Sequence, residues 1–114
     1  MGIKATPLDG WTEFTPTLPW GNEGSDAVRC ECRPLMPEVE ALVVHAVGKL
    51  DLELQRQVIM SSCRKVQNYE GTNGQPITNG AEIINYGGKQ ASKVIFAIVS
   101  HIVALSLTKA DQGK

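Results

Sequence analysis

A long apolar stretch, residues 93–109 (KVIFAIVSHIVALSLTK), constrains the fold of this chain more than any other feature. Apolar side chains would occupy nearly every side of a helix formed here, as in a central core helix or a membrane span. About 14 residues lie between Val94 and Leu107, whereas a bilayer needs about 20 predominantly apolar ones. Three polar residues interrupt the run: Ser100, His101 and Ser106. The stretch therefore predicts the buried core helix of a small domain.

Composition places the chain among globular proteins and restricts its partners. Its 114 residues are 42% hydrophobic and 20% charged, which is typical of one folded domain. The 11 basic and 12 acidic residues give a net charge of −1. Binding to nucleic acids and anionic membranes relies on an excess of positive charge, so neither partner is predicted.

Cysteine usage and the first residues predict a reducing compartment. The cysteine count of 3 is odd, which argues against a disulfide framework. The opening residues, MGIKATPLDG, contain one lysine and no apolar run, so they do not predict a secretory signal. The expected location is the cytoplasm.

The pattern divides the chain into an arm and one domain. Residues 1–26 are rich in proline and glycine and predict an extended arm, with a possible short strand at residues 11–15. Residues 27–114 predict a single, mostly helical domain. It opens with a half-buried strand at residues 27–33, where Val28, Cys30 and Cys32 alternate with charged residues. Together these elements predict a mainly α (α+β) fold.

Four helices are expected after that strand. Pro37 opens the first, with Val39, Leu42 and Val43 among its inward residues. Asp51 is a plausible N-cap for the second, at residues 52–69, whose predicted inner face includes Cys63 and Val66. The remaining boundaries are set by caps and glycines: Asn79 and Glu82 have capping-box spacing, Gly87 and Gly88 end the short third helix, and the fourth runs from residue 90 or 91 to residue 109.

Candidate chemistry is weak throughout the sequence. Five side chains could in principle supply metal ligands: Cys30, Cys32, His45, Cys63 and His101. Zinc sites usually contain two closely spaced ligand pairs, whereas this chain has one C-x-C pair and isolated residues otherwise. Buried core cysteines explain the pattern better.

The loop at residues 68–79 lacks the ligands of a calcium loop, and no phosphate-binding motif is present. No catalytic, cofactor-binding or metal residue, and no cofactor, is predicted.

Three aromatic residues in the arm are candidates for protein interaction. Trp11, Phe14 and Trp20 lie among prolines and glycines. They could fold back over the helices and cover one face of them. Alternatively, some could stay exposed as anchors, because aromatic residues are enriched at interaction hot spots.

The order of elements and turn residues resembles a known phage family. It comprises a strand ending in RPL, a Pro-Glu helix start, a helix carrying a cysteine, a GQPI loop, a GAEII helix and a long apolar helix. The matching segments are residues 29–35, 63–68, 74–77, 80–84 and 95–106. This arrangement is similar to that of the tail assembly chaperones of long-tailed bacteriophages.

The resemblance implies a non-enzymatic role. Such chaperones bind the tape-measure protein, a very long helical chain, and help to recruit tail-tube subunits. They act in the cytoplasm of the bacterial host and are absent from the mature virion. The resemblance also suggests a longer product made by ribosomal slippage, and Gly113-Lys114 is compatible with a slippery sequence. A homo-oligomer is left open.

Two other classes of function remain as alternatives. A phage structural adaptor, such as a head-tail joining or tail-completion protein, would assemble into rings and stay in the particle. An enzyme is the third possibility, which a clustered Cys/His site in the fold would favour.

Overall fold

A computed structural model describes the backbone of residues 10–45 and 51–112 and the side chains of residues 10–43 and 51–106. Within these residues the chain forms three strands and four α-helices. In order they are β1 (Thr12–Phe14), β2 (Arg29–Cys32), α1 (Pro37–His45), α2 (Leu52–Ser62), β3 (Cys63–Gln67), α3 (Gly80–Tyr86) and α4 (Ala91–Gln112), with a 3-10 turn at Gly88–Gln90 before α4. The predicted mainly helical α+β class is confirmed.

The strands form an antiparallel sheet in the order β1-β2-β3. Alternation along β2 buries Cys30 and Cys32 and leaves Arg29 and Glu31 half-buried, as the sequence predicts. The first strand pairs Phe14 with Cys30, so the two side chains share the core face of the sheet.

The prediction that Cys63 and Val66 belong to a helix is wrong. The second helix ends at Ser62, and Cys63 takes extended backbone angles, φ −135° and ψ 134°. Between the paired positions 29 and 31, β2 has one residue, whereas β3 has two residues between the partner positions 67 and 64. The extra residue forms a β-bulge, in which Lys65 adopts a φ of 53°. Because of the bulge, Cys63 and Val66 both face the core although they are three positions apart in the sequence.

The last helix enters the core through one face. Val94, Ile98, Val99 and Ile102 are buried, whereas Phe96 is 65% exposed. The helix therefore contributes to the core as predicted but is covered on one side only. By length and composition, the 19 residues from Gly88 to Ser106 could cross a membrane, and 22% of that stretch is buried. Length alone thus does not exclude a span, although core helices of soluble proteins meet the same test.

Two predicted helix starts are confirmed. The Asp51 carboxylate accepts a hydrogen bond of 2.8 Å from the Leu54 N–H. At α3, the Asn79 side chain accepts from the Glu82 N–H at 3.0 Å. In return, the Glu82 carboxylate accepts from the backbone N–H of Thr78 at 2.7 Å, one residue before the cap.

A buried serine joins the end of the sheet to α4. The Ser106 hydroxyl accepts a 2.8 Å hydrogen bond from the Leu35 N–H and donates to the Ile102 carbonyl at 3.1 Å. Both Ser106 and Leu35 are buried. One of the three polar residues that interrupt the apolar run thus satisfies a backbone donor from a segment 71 positions away.

Replacing Ser106 with alanine is expected to lower the free energy of unfolding by about 1–3 kcal/mol, because the buried Leu35 N–H loses its acceptor. Urea denaturation followed by circular dichroism measures this loss. Ser100→Ala is the matched control, since Ser100 is exposed on the same helix. It should change stability by less than about 0.5 kcal/mol. Equal effects at the two serines would contradict a role for the hydrogen bond.

Candidate functional site

The described part of the predicted arm, from Gly10, packs onto the domain. Leu18 and Pro16 are buried, and Leu18 belongs to the core cluster. The Asn22 side chain holds the loop before β2: it donates to the carbonyls of Pro16 and Val28 at 2.9 and 3.0 Å and accepts from the Val28 N–H at 2.8 Å. Residues 1–9 lie outside the described residues.

Trp11, the first predicted interaction residue, is engaged within the chain. Its half-buried ring lies 4.7 Å from the Arg33 guanidinium carbon and 4.1 Å from that of Arg64, measured to the ring centroid. Cation–π contacts of this kind hold the ring against the outer face of the sheet. Arg64 also forms an ion pair of 2.9 Å with Glu31, so its position is fixed from two directions.

Phe14 is also engaged, whereas Trp20 is not buried. The Phe14 ring stacks on His101 of α4 with centroids 3.8 Å apart and planes inclined by 2°. Partial burial lowers the pKa of His101, because it penalises the charged imidazolium, and the nearby Cys30 opposes this effect. The side chain of Trp20 is 54% exposed. Of the three predicted aromatic residues, Trp20 is therefore the one available to a partner.

The exposed face of α4 is a second candidate interaction surface. Four residues spaced by four positions form its exposed stripe: Ser92, Phe96, Ser100 and Ala104. No Asp, Glu, Lys or Arg occurs between Lys93 and Lys109. A helix face that meets water usually carries charged residues, so this uncharged stripe is unusual for a solvent-facing surface. We call these four residues the α4 stripe.

The sequence prediction missed Phe96 because it assigned the whole apolar run to the core. The signal that could have located the stripe is the four-residue spacing of two serines and an alanine around one aromatic residue. A related difference occurs in α1, where Leu42 was predicted to face inward and is 48% exposed. Other large exposed apolar residues are Leu52, Met60 and Tyr86.

The three cysteines form a buried cluster on the core face of the sheet. The sulfurs of Cys30 and Cys32 are 3.7 Å apart, and Cys63 lies directly opposite Cys32 on the neighbouring strand. The Cys63 thiol interacts with both of the others. His101 is close enough to act electrostatically on Cys30. We call Cys30, Cys32 and Cys63 the thiol cluster; all three are reduced and buried.

Mutual hydrogen bonding makes the three thiols chemically unequal. Hydrogen bonds from Cys32, and then from Cys63, lower the pKa of Cys30 because they stabilise its thiolate. The same interaction with Cys30 is the largest cause that raises the pKa of Cys32 and of Cys63, and burial also raises both. The contact between Cys32 and Cys63 raises the pKa of Cys32 but lowers that of Cys63. Of the three thiols, Cys30 is thus the one whose thiolate the neighbouring thiols stabilise.

Neither a metal site in the described residues nor a similar known protein indicates what the thiol cluster does. Among the residues that the structure describes, no group of three or more His, Cys, Asp or Glu side chains is placed to hold a metal ion. The side chain of His45 lies outside the described side chains. No family model, curated protein or solved structure matches the chain. The candidate sites therefore rest on geometry alone.

Proposed function

We propose that this chain is a non-enzymatic protein-binding module that acts as a phage tail assembly chaperone. In this role it binds the tape-measure protein through the α4 stripe and helps to recruit tail-tube subunits. The observation that carries the proposal is the uncharged, exposed face of α4, with Phe96 at its centre. The sequence resemblance described above supplies the identity of the partner.

The α4 stripe suits a helical, partly apolar partner on physical grounds. Burying an uncharged face desolvates no ion, so association is not opposed by the large penalty of an unpaired buried charge. An exposed phenylalanine offers an aromatic anchor of the kind that dominates interface energies. Ser100 and Ala104 are small, which lets a second helix approach α4 closely. An amphipathic helix laid along this face is therefore the favoured mode of binding.

The test is co-expression with an amphipathic helical segment of a tape-measure protein. The wild-type chain should keep the segment soluble and purify with it as a defined complex. Phe96→Asp should weaken the complex by at least about tenfold, because a charge is placed at the centre of the interface. Met60→Asp is the matched control, since Met60 is an exposed apolar residue on α2. It should leave affinity within about twofold.

Two results would overturn the proposal. One is a tape-measure segment that remains insoluble with the wild-type chain. The other is equal binding by the Phe96→Asp and Met60→Asp variants. Mass spectrometry of purified particles provides a separate check, because a chaperone should be absent from them. Detection of stoichiometric amounts would favour the structural adaptor instead.

A further inference from the structure

The thiol cluster has no role in the proposed protein-binding function, yet it combines three nucleophilic groups in one place. Cys30 and Cys32 lie on the same face of β2, and their sulfurs are 3.7 Å apart. Cys63, on β3, is the direct cross-strand partner of Cys32. Single buried cysteines are ordinary core residues. In a group of three interacting thiols, oxidation of one pair to a disulfide leaves a third thiol that can exchange with it.

We propose that the thiol cluster is a hydroperoxide-reactive modification site that closes a disulfide between Cys32 and Cys63. Cys30 reacts with the peroxide, and Cys32 and Cys63 then convert the resulting sulfenic acid into a disulfide. The inference is independent of the proposed chaperone function.

The chemistry proceeds in three balanced steps. The Cys30 thiolate attacks one peroxide oxygen; an S–O bond forms, the O–O bond breaks, and the departing hydroxide leaves as water with a proton from solvent. The Cys32 sulfur then attacks the Cys30 sulfenic acid, forming an S–S bond and releasing a second water with the Cys32 proton. Finally, the Cys63 sulfur attacks Cys32, and its proton passes to the departing Cys30 sulfur. Two thiols are oxidised to one disulfide, and the peroxide is reduced to two waters.

Strand geometry decides which disulfide is the final one. Directly opposed residues in an antiparallel pair have Cα atoms about 4.5–5.5 Å apart, which lies within the disulfide range of about 4.4–6.8 Å. Residues two apart along one strand are separated by about 6.6 Å, near the upper limit of that range. A Cys32–Cys63 bond therefore fits the strand geometry better than a Cys30–Cys32 bond, and exchange to Cys32–Cys63 is favoured.

Access to Cys30 is controlled by the stacked rings of Phe14 and His101. Phe14 is the cross-strand partner of Cys30, and its ring stacks on His101 at 3.8 Å. Both rings are half-buried, whereas the Cys30 side chain is buried. Separation of this stack is the local opening that admits a small peroxide molecule. Phe14→Ala should accordingly speed both alkylation and oxidation of Cys30 several-fold in the folded protein.

The test treats the folded, reduced chain with hydrogen peroxide, blocks the remaining thiols by alkylation and maps the products by mass spectrometry. Trypsin leaves Cys30 and Cys32 on one peptide and Cys63 on another, and cleavage after Glu31 separates Cys30 from Cys32. The expected product is a monomer with a Cys32–Cys63 link and a free Cys30. Cys30→Ala should form this link at least about tenfold more slowly, because the thiolate that meets the peroxide is missing.

Several outcomes would overturn the inference. They are the absence of any intramolecular disulfide, conversion of Cys30 to sulfinic or sulfonic acid without a disulfide, or disulfide-linked dimers as the main product. An unchanged rate of Cys32–Cys63 disulfide formation in a folded Cys30→Ala variant would also overturn the inference. The product map needs only the wild-type chain, so it decides the question even if that variant does not fold. The Cys63→Ala variant provides a second check, because its oxidation should stop at a Cys30–Cys32 disulfide.

Discussion

Replacement of Ile98 by alanine is expected to lower the free energy of unfolding by about 2–5 kcal/mol. Ile98 is 0% exposed and belongs to the core cluster that joins the sheet to α2 and α4. Removing its side chain loses transfer energy and leaves a cavity that rigid neighbours cannot fill. Urea denaturation, with the transition followed by circular dichroism, measures the change.

Phe96→Ala is the matched control for this prediction. It removes a larger apolar side chain from the same helix, two residues earlier, on the exposed face. The expected change in the free energy of unfolding is below about 0.5 kcal/mol in the isolated chain. Comparable losses at Ile98 and Phe96 would show that α4 is buried on both sides, and would also remove the basis for the α4 stripe.

Gly80→Val is expected to destabilise the fold by about 3 kcal/mol, because the start of α3 touches the backbone of α2. A Cβ at Gly80 would lie 2.5 Å from the Ile59 carbonyl oxygen, closer than such atoms can approach. The oxygen belongs to the helix backbone, so relief requires α2 and α3 to move apart. Thermal and urea unfolding both report the loss.

The control for Gly80→Val is Ala81→Val at the next position. It places the same β-branched side chain in the same helical turn, where the side chain is only half-buried. The expected loss is below about 1 kcal/mol, mostly from helix propensity. A further test adds Ile59→Val to Gly80→Val. Because the clash involves the Ile59 backbone, trimming that side chain should not restore stability, and recovery would contradict this explanation.

Much of the fold could be predicted from local patterns. The alternation in β2, the Asp51 and Asn79 caps and the glycines after α3 each act through neighbouring residues, so sequence spacing is enough to find them. The third strand was missed for a specific reason. Its bulge places Cys63 and Val66 three residues apart, which is also the spacing of a helix face. The sequence does not mark the bulge. A bulge residue at positive φ is usually glycine, whereas here it is Lys65.

The candidate sites were harder to predict because they depend on long-range packing. The sequence selects Trp11 and Phe14 as aromatic candidates, but it cannot show that Arg64 and His101 come from distant elements to cover them. The thiol cluster has the same origin, since the β2–β3 register brings Cys63 to Cys32. Hydrophobicity alone likewise does not show which face of α4 the rest of the chain covers. The predicted interaction role of Trp20 stays a prediction.

The contrast between Trp11 and Trp20 gives the protein a built-in optical reporter. These are its two tryptophans, one held between two guanidinium groups on the sheet and the other largely in water. Their fluorescence should separate into two populations, with Trp20 emitting at longer wavelength and being quenched readily by iodide. Loss of the sheet would change the Trp11 component, whereas a ligand that covers the loop around Trp20 would shield only the Trp20 component from iodide. Unlabelled protein can therefore distinguish unfolding from binding at that loop in a single spectrum.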